Sequence, residues 1–457
     1  LDPAVNFSGR SSLYTAIKLE GRGFDWTKTE DDTKAFVALP EVRKLAILDI
    51  QAFTPLAHLP MAGRPTRLAL SENKRLLWVG QTGQGTSESR VDILDTLTDE
   101  IVGGFPLPEG HHEFAFSKDG QLAYITSRES GTVTVVDAID LSVLETRKIG
   151  GQPLSVVFND TDGTLWVADG QRGRIHRFDA SAEALDALTL SRGVGPMRMS
   201  PGGAEMLVLN PQQHRLYVLD ASRAGLITEI TLSGQPYDLL FSEQYLYVRS
   251  LASEQVATIA LAELSEKTPY VQYIPMGETA LASAAGLPRA SSMSVSFHGT
   301  GAFFAAPAER SEYHYMEGMN APSTGLRAYG HTPMATMVVR RGFREVAPGV
   351  YRSTVELPSA GRLSEQVMSV AQGEPLELKL AVKGRQPKDH TALQVVVMSS
   401  RGGVHKKLPL NEGPDQLWKG SFEINQAGSY YLHVEGEPDL KGNFATVFVT
   451  EPEVEAE

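Results

Sequence analysis

The chain has 457 residues, which is enough for two or three domains with full cores. Its composition is that of a globular protein, and its formal net charge of −13 disfavours broad binding to nucleic acids or anionic membranes. The absence of cysteine excludes disulfides, thiolate metal sites and the Cys-x-x-Cys-His attachment of c-type haem. The 42 glycines and 26 prolines suit a turn-rich all-β protein.

The chain begins at Leu1, so we expect a processed start from which a signal peptide has been removed. That expectation implies a periplasmic or secreted protein, although a trimmed start would look the same. No apolar run is long enough to span a bilayer, so no transmembrane segment is expected. Residues 1–11 have the composition of an unstructured arm, and Ser12 to Leu19 predict a strand.

Residues 110–151 show most clearly a unit that the chain repeats. Four short runs with alternating or apolar character are separated by turns rich in glycine, aspartate and serine, which predicts four antiparallel strands. One sheet of this length cannot bury both of its faces. Units of about 40 to 45 residues with this signature stack radially into a β-propeller.

Two markers keep the period of this unit along the chain. Gly-x-Pro or a variant precedes the first strand, with anchors at positions 23, 65, 112, 153, 196, 236 and 292. An aspartate closes the third strand at Asp49, Asp95, Asp137, Asp179 and Asp220. Seven anchors predict seven blades.

The last blade is expected to close the ring with the amino-terminal strand. Its own strands are predicted at 293–297, 302–306 and 336–340, and the strand at residues 12–19 would be its fourth, which removes the open edges of the sheet. Residues 308–334 then form an insertion between strands two and three. A loop of this length is typical of a lid or a partner-binding element. The propeller is therefore predicted to span residues 12–340.

The period changes after the propeller. Strands separated by longer and more variable connections predict an immunoglobulin-like β-sandwich over residues 345–450. The acidic residues 451–457 predict a disordered tail. The strands are expected at 350–357, 376–382, 393–398, 418–424, 429–434 and 445–450.

The repeat resembles the YVTN-type β-propeller family, whose unit is close to Gly-x-Pro-x-x-x-Ala-Phe-Ser-x-Asp-Gly-x-x-x-Tyr-Val. The best copy runs from Phe114 to Gly120 (Phe-Ala-Phe-Ser-Lys-Asp-Gly), with Tyr124-Ile125 in place of Tyr-Val. Related propellers include the haem-binding domain of cytochrome-type nitrite reductases and the copper-bearing domain of nitrous oxide reductase. The resemblance covers about two thirds of the chain and implies the fold rather than one function.

Histidine and methionine side chains suggest a metal site at the mouth of the central channel. The loop that enters the first strand of a blade and the loop that joins its second and third strands lie at the same end of the blade. We therefore expect a histidine pair and the insertion to converge. Imidazole and thioether ligands suit copper, or haem iron bound non-covalently. In the alternative interpretation the histidines form a polar turn and the methionines plug the channel. The candidate metal ligands are His111, His112, His314, Met316, Met319 and His331.

Charged residues are also expected near the channel entrance. They either bind a polar ligand or pair with one another and with water. They are Arg22, Asp25, Arg64, Arg67, Glu113, Arg198 and Asp238.

The sequence contains no catalytic motif that assigns an enzyme. Neither a Gly-x-Ser-x-Gly elbow nor a phosphate loop nor His-Glu-x-x-His occurs. The sequence therefore does not decide whether the protein is an enzyme; if it is one, we expect a metal-dependent oxidoreductase. The leading hypothesis is an exported binding or scaffold subunit that docks a partner protein through the top face of the propeller. The alternative is a copper- or haem-binding protein active in electron transfer.

Overall fold

The computed structural model describes residues 16–83, 88–277, 289–296, 299–328 and 330–339. Further along the chain it describes residues 344–347, 350–357, 361–367, 370–371, 375–384, 394–399, 404–412, 417–423, 428–435 and 441–450. The chain divides into residues 1–48 with 55–338, and residues 49–54 with 339–457.

The first unit is a seven-bladed β-propeller, as the repeat predicted. Each blade is a sheet of four consecutive antiparallel strands. The first three blades contain β1 (Asp25–Lys28), β2 (Lys34–Leu39), β3 (Lys44–Asp49) and β4 (Thr54–Pro60); β5 (Arg64–Leu70), β6 (Leu76–Thr82), β7 (Arg90–Asp95) and β8 (Glu100–Pro106); and β9 (His112–Phe116), β10 (Leu122–Ser127), β11 (Thr132–Asp137) and β12 (Ser142–Lys148).

The other four blades repeat the same order. They contain β13 (Pro153–Asn159), β14 (Thr164–Asp169), β15 (Arg174–Phe178) and β16 (Ala184–Thr189); β17 (Met197–Met199), β18 (Glu205–Asn210), β19 (Arg215–Asp220) and β20 (Gly225–Thr231); β21 (Gln235–Phe241), β22 (Tyr245–Leu251), β23 (Gln255–Ala260) and β24 (Gln272–Pro275); and β25 (Met293–Val295), β26 (Gly301–Ala306), β27 (Ser311–Met316) and β28 (Thr324–Arg327). A 3-10 turn at Leu261–Glu263 precedes β24.

The first strand of each blade lies toward the centre and the fourth at the rim. First strands of neighbouring blades contact one another, as β1 does with β5 and β5 with β9. Second strands are almost entirely buried, whereas the fourth strand β12 is largely exposed. Apolar side chains therefore form cores between successive blades, and the first strands line the central channel.

Blade seven differs from the prediction. Its fourth strand is β28, so no strand from the amino terminus completes it; residues 12–15 lie outside the described residues, and 16–19 form no strand. The segment 308–334 is not an insertion, because it contains β27 and β28. Tyr315 is 3% exposed and packs edge-on against Tyr247, so an aromatic run interpreted as a lid is a core strand.

The ring closes through contacts between the first and seventh blades. The Arg289 N–H donates to the carbonyl of Phe24 at 2.7 Å, just before β1. Residues 336–339 lie in the span expected as a third strand, 336–340, and form no strand. The Val338 N–H donates to Ser294 Oγ of β25 at 3.1 Å. Closure by such contacts leaves each blade as one continuous stretch of chain.

The second unit contains two sheets. One has the order β29-β30-β31-β33-β37-β36 and the other β32-β39-β38-β34-β35. All six strands expected here overlap observed ones, while the immunoglobulin-like sandwich stays a prediction and residues 451–457 lie outside the described residues. The strands are β29 (Arg344–Ala347), β30 (Val350–Leu357), β31 (Gly361–Val367), β32 (Val370–Ala371), β33 (Pro375–Gly384), β34 (Gln394–Ser399), β35 (Val404–Pro409), β36 (Asn411–Glu412), β37 (Leu417–Glu423), β38 (Gly428–Glu435) and β39 (Lys441–Thr450).

Helices contribute little to the described part of the chain. Among those residues, none belongs to a helix that is both long and apolar enough to cross a bilayer.

Candidate functional site

Strand register places a polar residue at an equivalent point of the channel wall in five of the seven blades. In several blades the second strand carries a large buried aromatic residue, such as Trp78 in β6 or Tyr124 in β10. The residue two positions later pairs with the first strand, as Gly80 does with Arg67 and Thr126 with Glu113. The first-strand residues at this position are Asp25, Arg67, Glu113, Ser155 and Asp238.

Several of these side chains join consecutive blades. Asp25 Oδ2 accepts a hydrogen bond from the Leu68 N–H at 2.8 Å, and Ser155 Oγ accepts one from the Met197 N–H at 3.2 Å. In each case the donor lies on the first strand of the next blade. A backbone N–H that faces the channel has no sheet partner there, and the side chain of the preceding blade satisfies it.

Arg67 connects the acidic residues of blades one and three. Its Nη1 donates to Asp25 Oδ2 at 3.0 Å, and its Nε lies 2.8 Å from Glu113 Oε2. Glu113 Oε1 meets two further groups, His111 Nε2 at 2.9 Å and Arg289 Nη1 at 3.5 Å. Of the charged residues predicted at the channel entrance, Asp25, Arg67 and Glu113 therefore pair with one another.

Opposing effects set the pKa values in this network. Burial raises the pKa of Glu113, but the charges of Arg67 and Arg289 and the hydrogen bond from His111 outweigh it and hold the pKa well below its usual range. Burial raises the pKa of Asp25, and Arg67 only partly offsets this. Burial lowers the pKa of Arg67, but the charges of Glu113 and Asp25 raise it by more than burial lowers it. The pKa therefore lies above its ordinary value, and this guanidinium stays charged.

A cavity of about 310 Å³ lies against this network. Three arginines line it, Arg67, Arg198 and Arg289, whereas Asp25 is the one acidic residue among the lining residues. Arg289 lies three residues before the blade-seven anchor, in the loop that enters the first strand of that blade. The same reasoning that predicts His111 at the channel, from the loop before β9, also predicts Arg289 there. The rest of the lining is Trp26, Thr27, Leu68, Ala69, Leu70, Ala290, Ser291, Thr336 and Met337.

The two adjacent histidines have different surroundings. His111 interacts with Glu113, whereas His112 is fully buried, and its Nδ1 lies 3.2 Å from both Thr126 O and Ser127 Oγ. His112 Nε2 is buried without a hydrogen-bond partner in the described part of the chain. Burial lowers the pKa of His112 to about 4, so it is neutral at neutral pH.

The other candidate ligands lie away from this pair, in blade seven. His314 lies within β27, where its Nδ1 is 3.0 Å from Ser323 Oγ and its ring packs on Phe303. Met316 ends β27 and Met319 follows it in the turn to β28. His331 is exposed beyond β28.

Strand direction separates the methionines from the histidine pair. First and third strands of a blade run in the same direction, because each is antiparallel to the second. His112 begins a first strand and Met316 ends a third strand, so the two lie at opposite ends of the ring. The six candidates therefore do not all lie at one end of the ring, and a copper or haem site formed by them stays a prediction. Among the described residues no group of three or more His, Asp or Glu could hold a metal ion.

The chain matches no protein-family model and no curated protein. Among solved structures it is similar to a functionally unknown protein from Desulfotomaculum acetoxidans, with a TM-score of 0.51 and 13% identity over 66% of this chain and 98% of the other. It is also similar to the dihydro-heme d1 dehydrogenase NirN in complex with DHE, with a TM-score of 0.51 and 14% identity over 91% of this chain and 78% of that one. At these identities the likeness shows the propeller fold alone.

Proposed function

We propose that the protein is an exported, non-catalytic binding subunit that docks a partner protein on its propeller. The β-propeller is commonly a binding or scaffold fold, and the sequence carries no motif for a particular reaction. A periplasmic or secreted location belongs to this proposal. The observation that carries the docking role is a group of exposed apolar side chains contributed by blades six and seven.

These side chains form what we call the methionine patch, Tyr270, Met316 and Met319. They are 71%, 53% and 51% exposed. The two turns that carry them are joined, because Gln272 Nε2 donates to Asn320 Oδ1 at 3.0 Å. Adjacent exposed apolar residues are typical of interaction sites, and tyrosine and methionine are favoured at such surfaces.

The turn that carries the methionines is firmly attached to the core. The Tyr315 hydroxyl donates to Met319 O at 3.0 Å, and the Met319 N–H donates to Met316 O at 3.3 Å. Tyr315 itself is buried. The backbone of this turn is therefore held in one shape before binding, which lowers the ordering cost of association.

The methionine patch lies at the other end of the ring from the docking face that the sequence predicts. The sequence predicts docking at the end where first strands begin, because it places the methionines in a loop there. Both methionines lie instead where third strands end. Leu97 and Ile139, which are 72% and 68% exposed, lie in third-to-fourth-strand turns at the same end.

The test compares one patch variant with one matched control in crosslinking from native extract. The patch variant is Met316→Lys with Met319→Lys, and the control is Gln213→Lys in the exposed β18–β19 turn. We expect one specific protein to crosslink to wild type and to the control but not to the patch variant. A protein that stays monomeric without a crosslinked partner, or a partner retained by the patch variant, would contradict the proposal.

A further inference from the structure

We propose that the channel cavity lined by Arg67, Arg198 and Arg289 binds a small organic di- or tricarboxylate. The inference rests on different residues from the docking proposal and does not depend on it. Three guanidinium groups around one cavity provide many N–H donors in planar forks, the geometry that matches carboxylate oxygens.

The local charge is opposite to that of the whole chain. The chain carries a formal net charge of −13, yet the cavity lining has three arginines and one aspartate. Glu113 lies beside the cavity and pairs with Arg67 and Arg289, so three arginines face two carboxylates here. One positive charge is left over in a negative protein, which favours an anionic ligand over a cation.

Arg67 is positioned before any ligand arrives. Its Nη1 donates to Asp25 Oδ2 at 3.0 Å, and Glu113 Oε2 lies 2.8 Å from its Nε. Two carboxylates thus hold the guanidinium in place, so binding requires little ordering of this side chain.

Arg198 lines the cavity but does not take part in the ion pairs of Arg67 and Arg289. It lies on β17 with an exposed side chain, and it has no ion pair or side-chain hydrogen bond within the described part of the chain. Its charge is therefore not needed to compensate a neighbouring carboxylate. A ligand carboxylate would give it a partner.

The walls favour an organic anion over an inorganic one. Thr27 supplies a hydroxyl group, whereas the Ser291 and Thr336 hydroxyls already donate to Asp238 and Glu312. Trp26 and Met337 supply apolar surface that packs against a carbon skeleton. A volume of about 310 Å³ is at the lower limit for ligand cavities, which span roughly 300–1,000 Å³. A short di- or tricarboxylate has the charge and the size for this cavity.

The test is isothermal titration of the full chain with citrate, succinate and inorganic phosphate at constant ionic strength. We expect citrate and succinate to bind at one site and phosphate to bind at least tenfold more weakly. Arg198→Gln should weaken citrate binding about tenfold, equivalent to about 1.4 kcal/mol. Trp26 lines the cavity, so its fluorescence should change on binding and Trp26→Phe should remove that change.

Arg223→Gln is the matched control, because Arg223 is an exposed arginine of the β19–β20 turn and does not line the cavity. Its citrate affinity should equal that of wild type, as should that of the methionine-patch variant. Absence of citrate and succinate binding would overturn the proposal, as would equal loss in Arg223→Gln or phosphate binding as tight as that of citrate. Arg198 has no described ionic partner, so Arg198→Gln is expected to fold normally.

Discussion

Arg67 and Glu113, from the first strands of neighbouring blades, form an ion pair with 2.8 Å between Nε and Oε2. Their side chains are 29% and 13% exposed, so solvent screens the pair only partly. The same guanidinium is hydrogen-bonded to the buried Asp25. One arginine therefore holds two acidic residues of different blades at the channel.

Arg67→Met should destabilise the propeller, because it leaves Asp25 and Glu113 without their main cation. We expect the free energy of unfolding to fall by about 2–3 kcal/mol, below the roughly 3–5 kcal/mol for a fully buried pair because Arg67 is partly exposed. Urea denaturation measures this change. Glu145→Gln, which breaks the more exposed contact to Arg147, should cost under about 1 kcal/mol. Equal effects of the two substitutions would contradict a special role for Arg67.

His112 should make stability depend on pH. Its pKa falls from 6.5 to about 4 on folding, so between these values the unfolded chain binds a proton that the folded chain does not. Stability should therefore decrease as pH is lowered from 6.5 to about 4, by up to about 1.4 kcal/mol per pH unit. Glu113 also has a lowered pKa, but it reduces stability only below its ordinary pKa of 4.5. Most of the loss of stability between pH 6.5 and 4.5 therefore comes from His112 and not from Glu113.

The control for this pH dependence comes from the repeat itself. His112→Pro introduces the residue of four other anchors and should reduce the slope of the unfolding free energy between pH 6.5 and 4. The contributions of His176 and His314 should remain, because burial lowers the pKa of both. Exposed His214→Asn should keep the wild-type slope. An unchanged slope in His112→Pro would show that other groups are responsible. The anchors concerned are Pro65, Pro153, Pro196 and Pro236.

The blade count could be predicted because its markers are local chemistry. Asp137 Oδ1 accepts hydrogen bonds from the Ile139 and Asp140 N–H groups, which closes the turn after the third strand, and Asp95 does the same for the Leu97 N–H. Blade seven lacks this marker, since β27 ends at Met316. Without the aspartate, the sequence predicts a loop here, and the insertion expected at 308–334 instead contains β27 and β28.

The repeat predicts only part of the candidate site. The position of Asp25, Arg67 and Glu113 near the channel followed from counting residues after each anchor. Arg289 and the segment at 336–337 reach the cavity through contacts between distant parts of the chain, and no periodic pattern in the sequence encodes those contacts. Periodicity therefore predicts the channel wall, but not which connecting segments complete a cavity in it.

Gly151 should tolerate alanine poorly compared with Gly163. Both have left-handed φ angles, +65° and +73°, so alanine at either costs about 1 kcal/mol or more. An added Cβ at Gly151 would also overlap the carboxylate of Asp169, which accepts the Gln152 N–H at 3.0 Å, whereas nothing lies within 4 Å at Gly163. We expect the free energy of unfolding, measured by urea denaturation, to fall by about 3 kcal/mol for Gly151→Ala and by about 1 kcal/mol for Gly163→Ala. Equal losses would show that the carboxylate moves aside freely.

Arg249 should resist even conservative replacement, because it is fully buried and donates to backbone carbonyls. Its Nη2 lies 2.7 Å from Gly277 O and 3.4 Å from Ala305 O, so one fork connects blade seven to the segment after blade six. Arg249→Met leaves these carbonyls without a donor and should lower the free energy of unfolding by about 1–3 kcal/mol.

Arg249→Lys distinguishes hydrogen-bond geometry from charge at this position. Burial lowers the pKa of Arg249, so its positive charge is not what the site favours. A lysine ammonium lacks the planar fork, and we expect this substitution to destabilise the propeller about as much as Arg249→Met. Wild-type stability of Arg249→Lys in urea denaturation would show instead that a cation near Asp238 is sufficient.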